Sequence, residues 1–361
     1  MILWNSPFSL NDGYSTATRE YLSALIEVGF TDFRICPLFG DASCPKEYRH
    51  LRKYLLPWNG IPKLNIIHTN LEQSFRFFRR DTKNILLTTW ETDRLPPEHH
   101  IALNSFDEIW VPSTFNQKVF SKATHRPVHV VPHCLKPRTI SRLAPNLDIY
   151  TFYFIGTWIP RKNIQFLIDA FTEEFSVDEP VSLLIKTSVT GTQNAEAALC
   201  GSWYEKNLDE AAKIARKSPV PAKLPQNIKI IDRDDLTEEE IDKLHETSNC
   251  FISASHGEGF GLSELTAKAY GNPVIATGWG GWMDFYESGQ DIAVSFSMEE
   301  GTGIYAGQQW AQPDKTAFRS AMRKVFSQRC RKNTSQQIKN NYSRASVGNL
   351  LIDRISTTKG D

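Results

Sequence analysis

No apolar run in this chain approaches the ~20 residues that a helix needs to cross a bilayer. The N-terminus, Met1-Ile2-Leu3-Trp4-Asn5, lacks the charged-then-apolar pattern of a signal peptide. The expectation is a cytoplasmic protein, peripheral to the inner face of a membrane at most. Closely spaced cysteines are missing too. The six thiols (Cys36, Cys44, Cys134, Cys200, Cys250 and Cys330) are scattered, with neither the spacing of a zinc site nor that of a redox dithiol. They read as reduced and structural. Net charge is lacking as well: the formal value of +0 does not by itself nominate nucleic acid or membrane as a partner. No internal repeat or low-complexity segment occurs. No Gly-X-Gly-X-X-Gly follows the first apolar run, which argues against a dinucleotide enzyme.

What the chain has is length and alternation. Its 361 residues exceed what one core usually supports, and 40% hydrophobic with 23% charged residues is ordinary for a soluble globular protein. Short apolar runs alternate with helical patterns, the mark of strand–helix units around parallel sheets, so the expected class is α/β with two domains. In the first half, strands are expected at Ile2–Trp4, Phe33–Cys36, Leu64–Ile67, Asn84–Thr88, Glu108–Val111 and Val128–Val131. Helices are expected at Tyr14–Glu27, Lys46–Leu55, Leu71–Phe78, Pro97–Asn104 and Thr114–Ser121. A loop rich in Pro, Arg and Ser, Pro132 to about Asp148, marks the domain boundary. Beyond it, strands are expected at Phe152–Ile155, Ser182–Lys186, Ile228–Ile231, Cys250–Ser253 and Pro273–Ala276. The helices there are Asn163–Phe171, Leu208–Ala215, Thr237–Glu246, Glu264–Tyr270 and Asp314–Phe326, and a basic one runs from about Ser335 to Ile355.

Three loops in the second half carry chemistry, each at the carboxyl end of an expected strand, where open parallel sheets bind ligands. Ser255-His256-Gly257-Glu258-Gly259-Phe260-Gly261-Leu262-Ser263-Glu264 joins a strand to a helix. Its glycines permit a tight turn, and the first N–H groups of the helix suit an anionic phosphate. Glu258 would repel that phosphate, so it reads as an acceptor for sugar hydroxyls. The plain alternative is a glycine turn with a helix-capping acid. Gly156-Thr157-Trp158-Ile159-Pro160-Arg161-Lys162-Asn163 places two cations at a helix start, against the helix dipole. A bound anion would resolve that misfit; the alternative is a solvated basic turn. Thr277-Gly278-Trp279-Gly280-Gly281-Trp282-Met283-Asp284 reads as a ligand wall.

These motifs, with Phe154-Ile155-Gly156 and Gly271-Asn272-Pro273-Val274-Ile275-Ala276, resemble the C-terminal domain of retaining glycosyltransferase family 4 over most of residues 150–326. Asp107-Glu108-Ile109-Trp110-Val111-Pro112-Ser113 and Val130-Val131-Pro132-His133 fit the same pattern in the first half. The resemblance implies the GT-B architecture: two Rossmann-like domains with parallel sheets facing across a cleft. Residues 1–136 would form the acceptor-side domain and 137–336 the nucleotide-sugar domain, with the last helix, about 337–361, packing back on the first. It implies that Arg161 and Lys162 hold the donor diphosphate and its leaving-group charge, and that Glu258 binds donor sugar hydroxyls. Gly156, Thr157, Gly259, Phe260, Gly261, Leu262, Ser263, Thr266, Gly280 and Gly281 would line the donor, Lys186 and Arg233 the nucleotide. Gly13, in Asn11-Asp12-Gly13-Tyr14, would approach the diphosphate from the other domain.

The pattern is broken in places. The family's second Glu, eight positions after Glu258, is Thr266, and Glu264 stands two residues early. Thr157 replaces a common Arg. Where many members carry a His near the sugar, this chain reads Thr89-Trp90-Glu91-Thr92-Asp93, which makes Trp90 and Glu91 the acceptor-side candidates. Asp232-Arg233-Asp234 looks like a metal-binding Asp-X-Asp but precedes a helix start, so its acids read as helix-dipole partners and no metal is expected.

The activity implied is retaining transfer of a hexose from a UDP- or GDP-sugar to a hydroxyl of a glycan or lipid-linked acceptor, without cofactor. The rivals are a glycosyltransferase acting on hydroxymethylated DNA bases and a non-catalytic nucleotide-sugar sensor. On the acceptor side, Leu71, Phe75 and Phe78 recur at helical spacing beside Arg76, Arg79 and Arg80. A core-facing stripe with a solvated basic back is preferred there to a membrane-surface helix or a nucleic-acid face.

Overall fold

The computed structural model describes residues 1–9, 12–38, 43–55, 58–137, 148–188, 224–233, 235–329 and 336–360. The expected helix at Leu208–Ala215 lies outside them, as do Cys200 and Cys330. The chain divides into two units, Met1–Arg138 with Gln336–Asp361, and Thr139–Ser335.

The first unit is a parallel sheet of β1 (Ile2–Ser6), β2 (Phe33–Pro37), β3 (Leu64–His68), β4 (Lys83–Leu87), β5 (Glu108–Val111) and β6 (Val128–Val130), in the order β2-β1-β3-β4-β5-β6. Its central strands β3, β4 and β5 are largely buried, as in sheets covered on both faces. Helices α1 (Gly13–Glu27), α2 (Leu71–Ser74), α3 (Pro97–Leu103) and α4 (Thr114–Ser121) connect them. Two further helices, α9 (Gln336–Asn341) and α10 (Arg344–Gly360), belong to the same unit. Val347, Leu351 and Ile355 of α10 join Trp4, Tyr21, Leu22 and Leu25 in one buried core. The two helices touch at backbone level: a Cβ on Gly348 would stand 2.6 Å from the Ala24 carbonyl oxygen. Arg344 pairs with Glu20 at 2.7 Å, and the Tyr48 hydroxyl donates to the same carboxylate at 2.6 Å.

Two expected helices take other forms. Lys46–Tyr54 is a 3-10 helix kinked at Tyr48. The single helix expected over Leu71–Phe78 is absent: α2 ends at Ser74, a 3-10 turn covers Phe75–Phe77, and Phe78 is extended. The Ser74 hydroxyl donates back to the Leu71 carbonyl at 2.5 Å, and the Phe75 and Phe78 rings fold onto Phe106 at 5.4 and 5.8 Å. Packing on Phe106 overrides the 3.6-residue period, so no single helix face presents the aromatic stripe beside its arginines. Among the described residues no helix is long and apolar enough to cross a membrane, and the four described cysteines, Cys36, Cys44, Cys134 and Cys250, are free thiols.

The second unit holds β7 (Tyr150–Ile155), β8 (Val181–Thr187), β9 (Ile228–Asp232), β10 (Cys250–Ser253), β11 (Val274–Thr277) and β12 (Ile292–Val294), all parallel, in the order β12-β11-β10-β7-β8-β9. Among the described residues its helices are α5 (Ile164–Glu174), α6 (Glu238–Thr247), α7 (Leu262–Ala269) and α8 (Lys315–Gln328). Thr237 and Glu240 form a reciprocal capping box at the start of α6. Three strands were not anticipated. Beyond β12, an antiparallel pair, β13 (Phe296–Glu300) and β14 (Gln309–Pro313), stands off the main sheet. All of β13 is exposed, so it has no buried face to print an alternation on the sequence.

Candidate functional site

Strand order decides where a site forms. In the second unit the chain runs outward from β7 through β8 to β9, then returns to the other side of β7 with β10. The connections after β7 and β10 therefore diverge and leave a crevice at the carboxyl edge, the usual ligand position in such sheets. The loops after these strands hold Arg161 and Lys162, and Glu258. They are stitched together by backbone, the His256 amide donating to the Arg161 carbonyl at 2.8 Å. Arg161 and Lys162 lie in a 3-10 turn, Pro160–Lys162, closed by Asn163 in the left-handed region (φ 52°) before α5 begins.

Glu258 sits between the two cations. Lys162 Nζ donates to Oε1 at 2.6 Å, Arg161 Nη1 stands 3.3 Å from Oε2, and the Ser255 hydroxyl donates to Oε1 at 2.6 Å. Arg161 Nη1 also donates to the Gly257 carbonyl at 2.5 Å. The three side chains are 11–17% exposed, so little water screens them. Burial alone would raise the Glu258 carboxyl, but the charges of Lys162 and Arg161 and the hydrogen bonds from Lys162 and Ser255 hold it at about 2. The anion that two cations at a helix start call for is supplied here by the chain's own carboxylate. An incoming diphosphate would compete with Glu258 for them.

The glycine loop enters α7 through Gly261, whose φ of 93° is in the left-handed region. The Phe260 side chain is buried against Phe285, centroids 5.4 Å apart. Leu262 and Ser263 are half-buried in the first turn, where N–H groups have no intrahelical acceptor. Thr266 returns its hydroxyl to the Leu262 carbonyl at 2.8 Å. Gly280 and Gly281 let one loop lie on another: the Gly281 amide donates to the Glu258 carbonyl at 2.7 Å, and a Cβ on Gly281 would stand 2.2 Å from the Gly259 oxygen. Packing against the Glu258 loop thus accounts for these glycines without a ligand. Gly281→Ala is expected to destabilise the protein by about 1–3 kcal/mol through overpacking, read from denaturant midpoints; an unchanged midpoint would show that the loops separate freely.

Of the other donor-side candidates, Gly156 and Thr157 follow β7 directly, and the Gly156 amide donates to the Lys186 carbonyl at 3.0 Å. Arg233 lies apart from the cluster. It follows β9, the edge strand two places from β7, and pairs on the surface with Asp235 at 2.8 Å. Asp234 lies outside the described residues. Among those described, no group of three or more His, Cys, Asp or Glu is arranged to hold a metal ion.

Some contributors carried no usable sequence signal. The His256 ring stacks on Trp310 of β14 (4.4 Å, 8°), and the Ala311 amide donates to the His256 carbonyl at 2.8 Å. A hairpin some 55 residues away thus buttresses the turn that aims Arg161. Glu264, assigned no role from the sequence, is buried in the first turn of α7.

In the first unit the reversal of strand order falls between β1 and β3. Gly13 opens α1 there behind the Asp12 cap, which accepts from the Ser15 amide at 2.6 Å. A Cβ on Gly13 would meet nothing within 4 Å. The same edge gathers Tyr14, His68 and His133, with Tyr14 and His68 rings 5.2 Å apart. The Thr18 hydroxyl contacts His68 Nδ1 at 2.7 Å and the Tyr21 hydroxyl contacts His133 Nδ1 at 2.8 Å. Burial pushes His133 down to about 3, so its imidazole is neutral. Trp90 and Glu91 follow β4; the Trp90 indole donates to the Thr92 hydroxyl at 2.7 Å and the Arg94 carbonyl at 2.9 Å. Half-buried Glu91 bears electrostatically on Tyr14.

Two parallel six-stranded sheets with helices, each with a switch point, define a fold of the GT-B type. The chain belongs to the family Glycosyl transferases group 1, which matches residues 136–343. Its fold is shared by HepE of Anabaena, solved in complex with UDP-glucose, at TM-score 0.62 and 15% identity over 99% of both chains. Sucrose-phosphate synthase from Thermosynechococcus elongatus is similar at TM-score 0.65 and 13% identity, covering 99% of this chain and 98% of that one. A glycosyltransferase from Rickettsia africae is similar at TM-score 0.61 and 16% identity, covering 99% and 97%. No curated protein matches the sequence.

Proposed function

We propose that the chain is a retaining, family 4 hexosyltransferase that moves a hexose from a UDP- or GDP-sugar to a hydroxyl of a glycan or lipid-linked acceptor. The observation that carries this reading is the crevice where Arg161, Lys162 and Glu258 meet the first turn of α7. The donor diphosphate takes Arg161 and Lys162, whose charge-assisted hydrogen bonds strengthen as the leaving phosphate gains charge. Glu258, partly released, accepts from donor sugar hydroxyls. The backbone of Gly259, Phe260, Gly261, Leu262 and Ser263 offers N–H groups to sugar and phosphate. Gly156, Thr157 and Lys186 border the nucleotide. Gly13, where a Cβ would meet nothing within 4 Å, is also assigned to the donor.

Transfer runs by same-face attack, the acceptor hydroxyl giving its proton to the departing phosphate. Trp90 and Glu91 are assigned to the acceptor. HepE's complex with UDP-glucose supports a UDP-sugar donor. Melting curves against a panel of nucleotide sugars test the reading, because a ligand that prefers the native state raises the melting point; no shift with any of them sinks it. Charge neutralisation is assigned to side chains, so full turnover is expected in excess chelator. Loss of turnover that manganese restores would overturn that assignment.

A further inference from the structure

In the first unit the helices leave part of one sheet face uncovered. Ile2, Trp4, Phe33 and Ile35 of β1 and β2 belong to the core shared with α1 and α10. Side chains alternate along a strand, so Leu3, Arg34 and Cys36 face the other way. The core on that second side, packed under α2, α3 and α4, reaches Ile67, Leu86 and Ile109 but includes no residue of β1 or β2. What remains is a groove of about 600 Å³ along β2, floored by Leu3, Arg34 and Cys36 and bordered by Trp58 and Arg79. Its borders are held in place. Asn65, in register with Leu3, accepts from buried Asn5 at 2.7 Å and donates to buried Asn84 at 2.8 Å. Asn84 in turn accepts from the Arg79 amide at 3.0 Å and donates to the Arg79 carbonyl at 2.7 Å, fixing the backbone that carries that guanidinium. The Trp58 ring lies on Gly60, where a Cβ would stand 2.6 Å from a ring carbon.

No acid lines this groove. Half-buried Arg34 donates from Nη1 to the Phe33 carbonyl at 2.8 Å, and among the described residues no carboxylate pairs with it. Arg79 gives Nε and Nη2 to Asp81 at 3.1 Å, an exposed pair that contributes little and leaves Nη1. Burial pushes the Cys36 thiol up, so it adds no charge at neutral pH. Guanidinium donors of this kind match a carboxylate, and a half-buried indole offers an apolar face to the C–H groups of a sugar ring. We propose that the groove binds an acidic glycan, with a sugar carboxylate on Arg34 and Arg79 and a pyranose ring against Trp58. This deepens the acceptor side of the reading above and rests on it. The groove runs along β2 to Pro37, at the carboxyl edge where Trp90 and Glu91 follow β4, so a chain lying in it extends toward the acceptor residues. A bilayer suits a recessed floor poorly, and a nucleic acid needs a row of cations along its phosphates where this groove has two.

Calorimetric titration of the whole protein with hexamers of galacturonate and of hyaluronan, beside maltohexaose as a neutral control, tests this without donor or turnover. An acidic hexamer should bind about tenfold or more tightly than maltohexaose. Arg34→Gln and Trp58→Ala should each weaken it by roughly tenfold, the loss of one charge-assisted hydrogen bond or one aromatic contact. Arg34→Lys, which keeps the charge but not the planar fork, should recover only part. Arg79→Gln changes an exposed pair, so it folds even where the half-buried substitutions do not, and it too should weaken binding. Binding of neither acidic hexamer, equal binding of maltohexaose, or an affinity that no folded variant changes overturns the proposal. So does displacement of the hexamer by an equal concentration of inorganic phosphate, which marks a small-anion pocket. Sedimentation with phosphatidylglycerol vesicles that Arg34→Gln abolishes would overturn it in favour of a lipid surface.

The donor side is measured separately. UDP-glucose should raise the melting temperature of Arg34→Gln and Trp58→Ala as much as that of the wild type. In transfer to an acidic acceptor, Arg34→Gln should raise the acceptor KM and leave kcat unchanged, because the groove holds substrate and transition state equally. A lower kcat at saturating acceptor would place Arg34 at the reacting atoms and overturn its assignment to the groove. Failure of UDP-glucose to shift any of the proteins would count against the donor assignment, and the titrations still decide whether the groove holds an acidic glycan.

Discussion

Lys162→Ala should lower turnover by roughly 100- to 1,000-fold, the range for removing one preorganised donor aimed at developing charge. Lys162 Nζ lies 2.6 Å from Glu258 in a crevice where its side chain is 17% exposed. On the proposed assignment it meets the donor already ordered and poorly screened. The substitution also leaves Glu258 with Arg161 as its remaining cation, at 3.3 Å. A loss of stability of about 1–3 kcal/mol therefore accompanies the kinetic effect, since the buried carboxylate loses a hydrogen-bond partner. Steady-state kinetics beside a denaturation curve separate the two. Near-normal turnover by a folded variant would show that the diphosphate does not use this lysine.

Glu258→Gln should produce the opposite split between substrate and product. Turnover should fall by roughly 100-fold, because the ionised group proposed to accept from sugar hydroxyls becomes a neutral amide worth about 1.5 kcal/mol less per hydrogen bond. Free UDP should bind more tightly, because the carboxylate that competes for Arg161 and Lys162 is gone. A pH signature follows. Glu258 is held at about 2, below the ordinary 4.5, so its ion pairs contribute stability that is present above about 4.5 and is lost as pH falls toward 2. Acid melting curves of wild type and Glu258→Gln should converge over that interval. Weaker UDP binding by the variant would mean that Glu258 touches the nucleotide rather than restraining the cations.

Glu258 pairs with Lys162 and its carboxyl is held low, while burial pushes the Glu264 carboxyl up. Neither behaviour is legible in the string Glu258-Gly259-Phe260-Gly261-Leu262-Ser263-Glu264. There, Glu264 is merely an acid two positions short of an expected one.

Much was fixed locally and so could be read from the residues. The central strands of both parallel sheets are short Val-, Ile-, Leu- and Phe-rich runs, because burial on both faces suppresses polar alternation, whereas the edge strand Ile228–Asp232 leaves Lys229 and Asp232 exposed. Cys250–Ser253 and Glu108–Val111 end where the apolar run ends. Glycine at position 261 marks a backbone turn that a side chain would strain, which is a local property as well. The meeting of Arg161, Lys162 and Glu258 was legible as a class of place, the carboxyl ends of strands, because that follows from strand direction alone.

Tertiary structure decided what depends on distant partners. The hairpin β13–β14 draws its stability from cross-strand pairing and from Trp310 stacked on His256, which an exposed, charged segment such as Phe296–Glu300 does not announce. Phe106 broke the helix that Leu71, Phe75 and Phe78 spell out. Gly280 and Gly281, read from sequence as a wall for a ligand, abut the Glu258 loop. The charge states of Glu258 and Glu264 come from burial and from a lysine some 100 residues earlier. Sequence alone determined the strand–helix alternation and the residue types at the strand ends, because backbone preference and hydrophobic patterning act between near neighbours. Which of those residues neutralise one another was settled only by folding, because Coulomb energy depends on distance and dielectric, and the chain order carries neither.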